Sequence, residues 1–122
     1  MRKLKYAYYH LSRSIKCSFD GLLAAYKSEV AFRQDLVICS CLFVFALFCP
    51  VAFFYKMLML LSLFFILFSE LINTAIETTI DRISPEIHPL SKKAKDIGSA
   101  IVFISFAQMI FIYSIAIFLV LF

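Results

Sequence analysis

Hydrophobic and polar positions divide the chain into four stretches. The N-terminal stretch, up to Lys27, repeats apolar side chains at helical spacing and keeps Lys and Arg on the other faces, a pattern typical of an amphipathic helix on a membrane surface. Leu36–Tyr55 and Ile97–Phe122 contain no charged residue, and each is long enough for the ~20 residues that cross a hydrocarbon core. Met57–Ile80 is as apolar except at Glu70 and Glu77. The pattern predicts an all-α membrane protein with a surface helix and three transmembrane helices.

A few residues indicate where these helices end. Pro50 is expected to end the first span, and Pro85 disfavours a helical conformation in Ser84 before it. Ser91 is the predicted N-cap of the third span. The predicted surface helix covers residues 1–27, and the spans cover about 30–50, 56–83 and 91–121 of one domain, 1–122. No removable signal peptide is expected, since the first apolar run begins well inside the chain.

Composition and charge narrow the class of protein. The 122 residues are 63% hydrophobic with a mean hydropathy of +0.93, which excludes an ordinary soluble domain. The net charge of +4 is too small to require a nucleic-acid partner, and none is predicted. Basic residues crowd the N-terminus and the segment Arg82–Lys95. The positive-inside rule therefore places both in the cytoplasm, with the first connection and the C-terminus outside.

A polar stripe marks the second half of the middle span. At about 100° per residue, its members fall on one face of the helix; they are Glu70, Asn73, Thr74, Glu77 and Asp81. Ionisable groups within a membrane helix are costly, so they indicate a functional site. A structural polar contact between helices is the alternative, but such contacts are usually made by Ser, Thr, Asn or Gln.

The predicted topology brings further polar residues to the depth of this stripe. Glu29 and Arg33 begin the first span, and Lys95, Asp96 and Ser99 begin the third. Carboxylate and carbonyl oxygens are the ligands that Mg²⁺ accepts, and magnesium with a lysine is a common device for binding polyphosphate.

The layout indicates phosphoryl transfer from a nucleotide to a lipid hydroxyl. Glu70 lies deepest, where a general base would meet the hydroxyl, while Glu29 and Glu77 lie nearer the water. The two glycines form no Gly-rich phosphate-binding motif.

Three segments resemble the small prokaryotic membrane diacylglycerol kinases. They read GLLAAYKSEVAFRQ at Gly21–Gln34, ELINTAIETTIDRI at Glu70–Ile83 and AKDIGSA at Ala94–Ala100. The resemblance covers nearly the whole chain. It implies a homotrimer in the bacterial inner membrane, with active sites between subunits, that phosphorylates diacylglycerol with Mg²⁺ and ATP.

The resemblance also implies roles for individual residues. Glu70 corresponds to the catalytic base, Glu29 and Glu77 to metal ligands that also contact ATP, and Asn73 and Asp81 to supporting positions. Further positions correspond to ATP contacts; they are Glu86, His88, Lys95, Asp96, His10 and Cys17. Other positions correspond to lipid contacts; they are Ala31, Phe32, Arg33, Gln34, Asp35, Glu70 and Ser99.

The sequence departs from the family pattern at three positions. His10 stands where the family tends to have Arg, Cys17 where it tends to have Tyr, and Ile87 where an aromatic residue is common. Arg13 lies one helical turn after His10 and is the alternative partner for the nucleotide.

Three alternatives to a diacylglycerol kinase remain open. An undecaprenol kinase has the same layout with a longer polyprenyl acceptor, and AFRQ with DRISPEIH favours diacylglycerol. A proton or cation transport subunit would need carboxylates through the full membrane depth, whereas these cluster on one side. A purely structural membrane protein is the last alternative.

Overall fold

Four helices form the chain in the computed structural model, which describes residues 1–83 and 85–122 apart from the side chain of Arg2. They are α1 (Arg2–Ser28), α2 (Val30–Phe48), α3 (Phe53–Ile83) and α4 (Pro89–Leu121). The predicted helix end at Ser84–Pro85 falls partly on Ser84, which lies outside the described residues. Within the described part of the chain, three helices are long and apolar enough to cross a membrane, namely α2, α3 and α4.

The chain divides into two compact units, Met1–Val30 and Ala31–Phe122. The first consists almost entirely of α1, which runs unbroken through Gly21. It ends at Glu29, whose backbone is extended, with φ −106° and ψ 117°. The Glu29 amide donates to the Ala25 carbonyl at 2.9 Å, and so pairs one of the carbonyls that the end of a helix leaves free.

The second unit contains the three apolar helices, and α3 packs most extensively on α4. The buried core includes Ala46 of α2, Met59 and Ile66 of α3, and Ala116 of α4. Polar contacts tie α2 to this pair, because the Cys39 thiol donates to the Leu63 carbonyl at 3.8 Å and the Tyr113 hydroxyl donates to the Leu42 carbonyl at 3.1 Å. Each contact gives a polar side chain in this apolar region a hydrogen-bond acceptor on the neighbouring helix.

The connection between α2 and α3 is short and is stabilised by a lysine. Lys56 Nζ donates to the Leu47 carbonyl at 2.9 Å, so a cation meets the negative end of α2.

The two longest helices extend beyond the hydrocarbon core of a bilayer. Helix α3 has 31 residues and α4 has 33 residues. Their lengths are about 46 Å and about 50 Å, against about 30 Å of hydrocarbon. They run antiparallel, since Ser69 meets Ser105 and Asp81 meets Lys95. The polar end of α3 therefore lies beside the polar start of α4, and this end of the pair carries the candidate site.

Candidate functional site

The start of α4 differs from the prediction. Helix α4 begins at Pro89, and its N-cap is His88, whose Nδ1 accepts from the Leu90 amide at 3.1 Å. The prediction of Ser91 as N-cap was wrong because proline suits the first helical position, where its missing N–H would have no partner. Proline also holds the preceding residue extended, and His88 has φ −123° and ψ 138°. Ser91 lies inside the helix, on the wall of a cavity.

That cavity, of about 500 Å³, lies where the end of α3 meets the loop and the start of α4. Four residues predicted to contact ATP line it together: Glu86, His88, Lys95 and Asp96. Asp81, predicted as a supporting residue, also lines it. The structure thus brings these predicted residues around one space large enough for part of a nucleotide.

Opposite charges face one another at the cavity. Lys95 Nζ lies 2.6 Å from Asp81 Oδ1 and joins α4 to α3. Lys92 Nζ lies 2.6 Å from Asp96 Oδ2 within α4. All four side chains keep 41% or more of their surface exposed, so water weakens both ion pairs. Each lysine is therefore available to a polyanion at little energetic cost.

The polar stripe of α3 continues from the cavity towards the core. Asn73 Nδ2 donates to Glu77 Oε1 at 3.3 Å, one turn apart on the helix. Glu77 is half-buried and lies within electrostatic range of the Lys95 ammonium. Glu70, two turns further in, is buried with only 5% of its surface exposed. The stripe therefore runs from an open cavity to a shielded carboxyl.

Oxygen atoms dominate this stripe, and that donor set fits a magnesium ion. Glu77 accepts one bond from Asn73, which leaves its remaining lone pairs for a cation. Magnesium usually takes one or two carboxylates and keeps several waters. Within the described residues, no group of three or more His, Cys, Asp or Glu side chains is arranged to hold a metal ion.

Three other predicted residues belong to α1 or to its end. Glu29 belongs to the first unit, where its Oε1 accepts from the Ser28 hydroxyl at 3.2 Å. His10 and Cys17 are exposed on α1, and the His10 ring contacts Tyr6 with centroids 6.4 Å apart. The roles of Glu29, His10 and Cys17 stay predictions.

The predicted lipid contacts lie at the starts of α2 and α4. Phe32 and Asp35 are buried, Arg33 is half-buried, and Ala31, Gln34 and Ser99 are exposed on the same two helices. Their roles in lipid binding also stay predictions.

Two residues at this end of the bundle received no role from the sequence. Lys92 lines the cavity beside Lys95, and its spacing of four residues from Asp96 could have indicated the ion pair. Gly98 lies buried against Asn73 on α3. A glycine within an apolar helix is a common sign of close helix packing, but the sequence does not name the partner.

Comparison with known proteins identifies the family. The sequence profile of the prokaryotic diacylglycerol kinases matches residues 16–119. The chain belongs to this family. It is 41% identical over 102 residues to a diacylglycerol kinase of Haemophilus influenzae, covering 79% of this chain and 81% of that protein. It is 44% identical over 88 residues to the diacylglycerol kinase of Pseudomonas aeruginosa and 41% identical over 88 residues to that of Escherichia coli K12, with 72% of each chain covered. Family membership confirms the resemblance seen in the sequence and makes the cavity and polar stripe the candidate active site.

Proposed function

We propose that this protein is an ATP-dependent lipid kinase that phosphorylates the free hydroxyl of diacylglycerol to give phosphatidic acid. The observation that carries the proposal is the arrangement at this end of the α3–α4 pair. An open cavity with two lysines lies at one end of the polar stripe of α3, and a buried carboxyl lies at the other end. A charged nucleotide would bind at the end of the stripe that is open to water, and a lipid hydroxyl would arrive at the end that lies among apolar side chains. Family membership identifies the reaction that this arrangement serves.

The nucleotide would bind in the cavity through its phosphates. Lys95 would leave Asp81 for the phosphate oxygens, because a polyphosphate presents several negative oxygens where Asp81 presents one carboxylate. The neighbouring Glu86, His88 and Asp96 would contact the rest of the nucleotide. His88 Nδ1 already caps α4, so Nε2 is the atom available to a ligand.

Glu70 would act on the acceptor hydroxyl. Its carboxylate takes the hydroxyl proton as the lipid oxygen attacks the γ-phosphorus, the bond to the β-phosphate oxygen breaks, and ADP leaves. Burial of Glu70 suits this role because it excludes competing water from the reacting oxygen. The nearby apolar surfaces of α2 and α3 would hold the acyl chains.

Magnesium would be held by Glu77 with Glu29, and it would offset negative charge on the transferring phosphate. Asn73 orients the Glu77 carboxylate from one turn away through its hydrogen bond. The ion is expected to keep several waters, as magnesium does in other phosphotransferases.

The protein would work as a homotrimer in the bacterial inner membrane. Basic residues at the N-terminus and around Arg82–Lys95 favour a cytoplasmic cavity, and α1 would lie along the same membrane surface. The large apolar side chains exposed on α2, α3 and α4 suit contact with lipid or with other subunits. Subunit contacts would let Glu29 of one chain complete a site of another.

The test is phosphate transfer by the purified protein in lipid. Protein incubated with γ-labelled ATP, magnesium and diacylglycerol should form labelled phosphatidic acid, while undecaprenol in the same assay should be a poor acceptor. Glu70→Gln should abolish transfer while the variant still assembles like the wild type. Preference for undecaprenol would overturn the assigned acceptor, and retained activity in Glu70→Gln would remove Glu70 from the role of base.

A further inference from the structure

Gly98 lies directly against the side chain of Asn73, where α4 crosses the polar stripe of α3. A Cβ atom built on Gly98 would overlap Asn73 Oδ1, whereas its other neighbours, Asn73 Cγ and Ile76 Cδ1, would be at 3.4 Å and 3.6 Å. Those two distances are close to ordinary van der Waals contact. The lack of a side chain at residue 98 therefore makes room for one atom, the amide oxygen of Asn73.

The orientation of the Asn73 amide is fixed by its neighbours. A carboxylate only accepts hydrogen bonds, so the Nδ2 side of the amide must face Glu77, and Nδ2 lies 3.3 Å from Glu77 Oε1. Oδ1 must then point the other way, towards Gly98. Oδ1 is buried and has no hydrogen-bond partner in the part of the chain that the structure describes. A buried, unpaired amide oxygen is costly, so its placement reflects the gain made elsewhere by the same amide.

We infer that Gly98 is a positioning residue, which acts on the Glu77 carboxylate through Asn73. An alanine here would be relieved most cheaply by rotation of the Asn73 amide, because Oδ1 is the end of a side chain while α3 and α4 are rigid. Rotation would break the bond to Glu77 and free its carboxylate to turn. The inference rests on the proposed role of Glu77 as a metal ligand, since an outer residue that orients a ligand affects how tightly the metal binds.

The experiment measures binding of Mn²⁺, used as a paramagnetic substitute for Mg²⁺, to the full-length protein in detergent with ADP present. Gly98→Ala should weaken Mn²⁺ binding by about tenfold, the low end of what outer-residue substitutions cause. Asn73→Ala should weaken it by a similar factor. The double variant should bind like Asn73→Ala alone, because the added methyl group no longer has an amide to displace.

Gly21→Ala is the matched control. Gly21 is the other glycine of the chain, it also lies within a helix, and a Cβ there would meet no atom within 4 Å. This variant should bind Mn²⁺ like the wild type. An effect equal to that of Gly98→Ala would show that glycine acts through general helix properties and would overturn the inference.

Further outcomes separate this inference from the proposed function. Unchanged Mn²⁺ binding in Glu77→Gln would contradict the metal role of Glu77 itself. If Glu77→Gln loses Mn²⁺ binding while Gly98→Ala binds Mn²⁺ like the wild type, only the role of Gly98 is overturned.

A folding defect is distinguished by the amount of protein in membranes. If Gly98→Ala fails to accumulate there, adding Asn73→Ala should restore accumulation. Continued failure would place the clash elsewhere and overturn the inference. The inference would also be overturned if the double variant weakened Mn²⁺ binding by the product of the two single-variant effects, because the two residues would then act independently.

Discussion

At the scale of single residues, the ion pairs at the cavity leave lysine side chains accessible to a polyanion. Lys95 and Asp81 form the ion pair that links α4 to α3, and both side chains remain largely open to water. Such exposed pairs are typically worth about 0.2–1 kcal/mol, so Asp81 competes only weakly with phosphate oxygens for Lys95. If ATP binds in this cavity as proposed, we expect the pair to affect nucleotide affinity more than it affects folding.

Replacement of Asp81 by Asn should tighten nucleotide binding. The change removes one negative charge from the cavity and frees Lys95, so the KM for MgATP should fall by about two- to fivefold, as expected for a pair of this strength. Raised ionic strength should reduce the difference between variant and wild type, because salt screens exposed charges. Steady-state kinetics at low and high salt measure both effects. A higher KM in Asp81→Asn would indicate that Asp81 holds Lys95 in its productive position.

His88 combines a structural contact with a predicted nucleotide contact. Its Nδ1 caps α4, so His88→Ala should destabilise the protein by about 0.5–2 kcal/mol. His88→Asn should restore the cap, since Asn is among the best N-cap residues. Thermal unfolding measures stability, and the KM for MgATP measures nucleotide binding. Loss of nucleotide affinity in His88→Asn at wild-type stability would support the imidazole as a ligand, whereas equal destabilisation by both substitutions would contradict the capping role.

At the scale of helices, the α3–α4 contact is the central element of the fold. Ser69 and Ser105 are fully buried, and their Oγ atoms lie 2.8 Å apart. Each hydroxyl also lies 2.7 Å from a carbonyl of its own helix, Ile66 or Val102. The two hydroxyls have only two protons for these three contacts, so only two of the three can be hydrogen bonds at any one time. Small residues of this kind let helix backbones approach closely within a membrane.

Ser69→Ala should destabilise the protein only modestly. Hydrogen bonds between membrane helices average about 0.6 kcal/mol, with a maximum of about 1.7 kcal/mol, so the expected loss lies in this range. Ser114→Ala is the control, because Ser114 is exposed on α4 and its hydroxyl donates to the carbonyl of Ile110 in the same helix. Unfolding in a graded mixture of denaturing and mild detergents compares the two. A loss for Ser69→Ala no greater than for Ser114→Ala would show that the contact between helices contributes nothing.

The sequence predicted the helices better than it predicted their contacts. Long apolar stretches with little or no charge located the three apolar helices, and helical periodicity aligned Asn73, Glu77 and Asp81. The start of α4 was missed because Ser91 was given more weight than proline at the first helical position. The contacts of Gly98 and Lys95 with α3 depend on the offset between two antiparallel helices. That offset is set by packing across the pair, which no local pattern records.

At the scale of the whole molecule, the proposed function requires the cavity to face the cytoplasm, where ATP is found. The basic N-terminus and the basic segment around Arg82–Lys95 favour this orientation. The first connection, between α2 and α3, would then lie on the outer face.

Cysteine labelling should confirm this orientation. In a variant that keeps Cys17 and replaces Cys39, Cys41 and Cys49 by Ala, a membrane-impermeant maleimide should react only after the cells are permeabilised. Cys17 suits this use because it is exposed on α1. A matched variant with Cys17→Ser and Ala52→Cys, in the first connection, should react in intact cells. The reverse pattern would contradict the proposed topology.

The proposed function depends above all on ATP binding in the cavity between the end of α3 and the start of α4. A photoreactive azido-ATP, bound with magnesium and activated by light, tests it directly once the labelled peptides are identified by mass spectrometry. Label should appear within residues 85–96, and it should be removed by excess ATP and strongly reduced in Lys95→Met. Label confined to other segments, and equally removed by ATP, would contradict it.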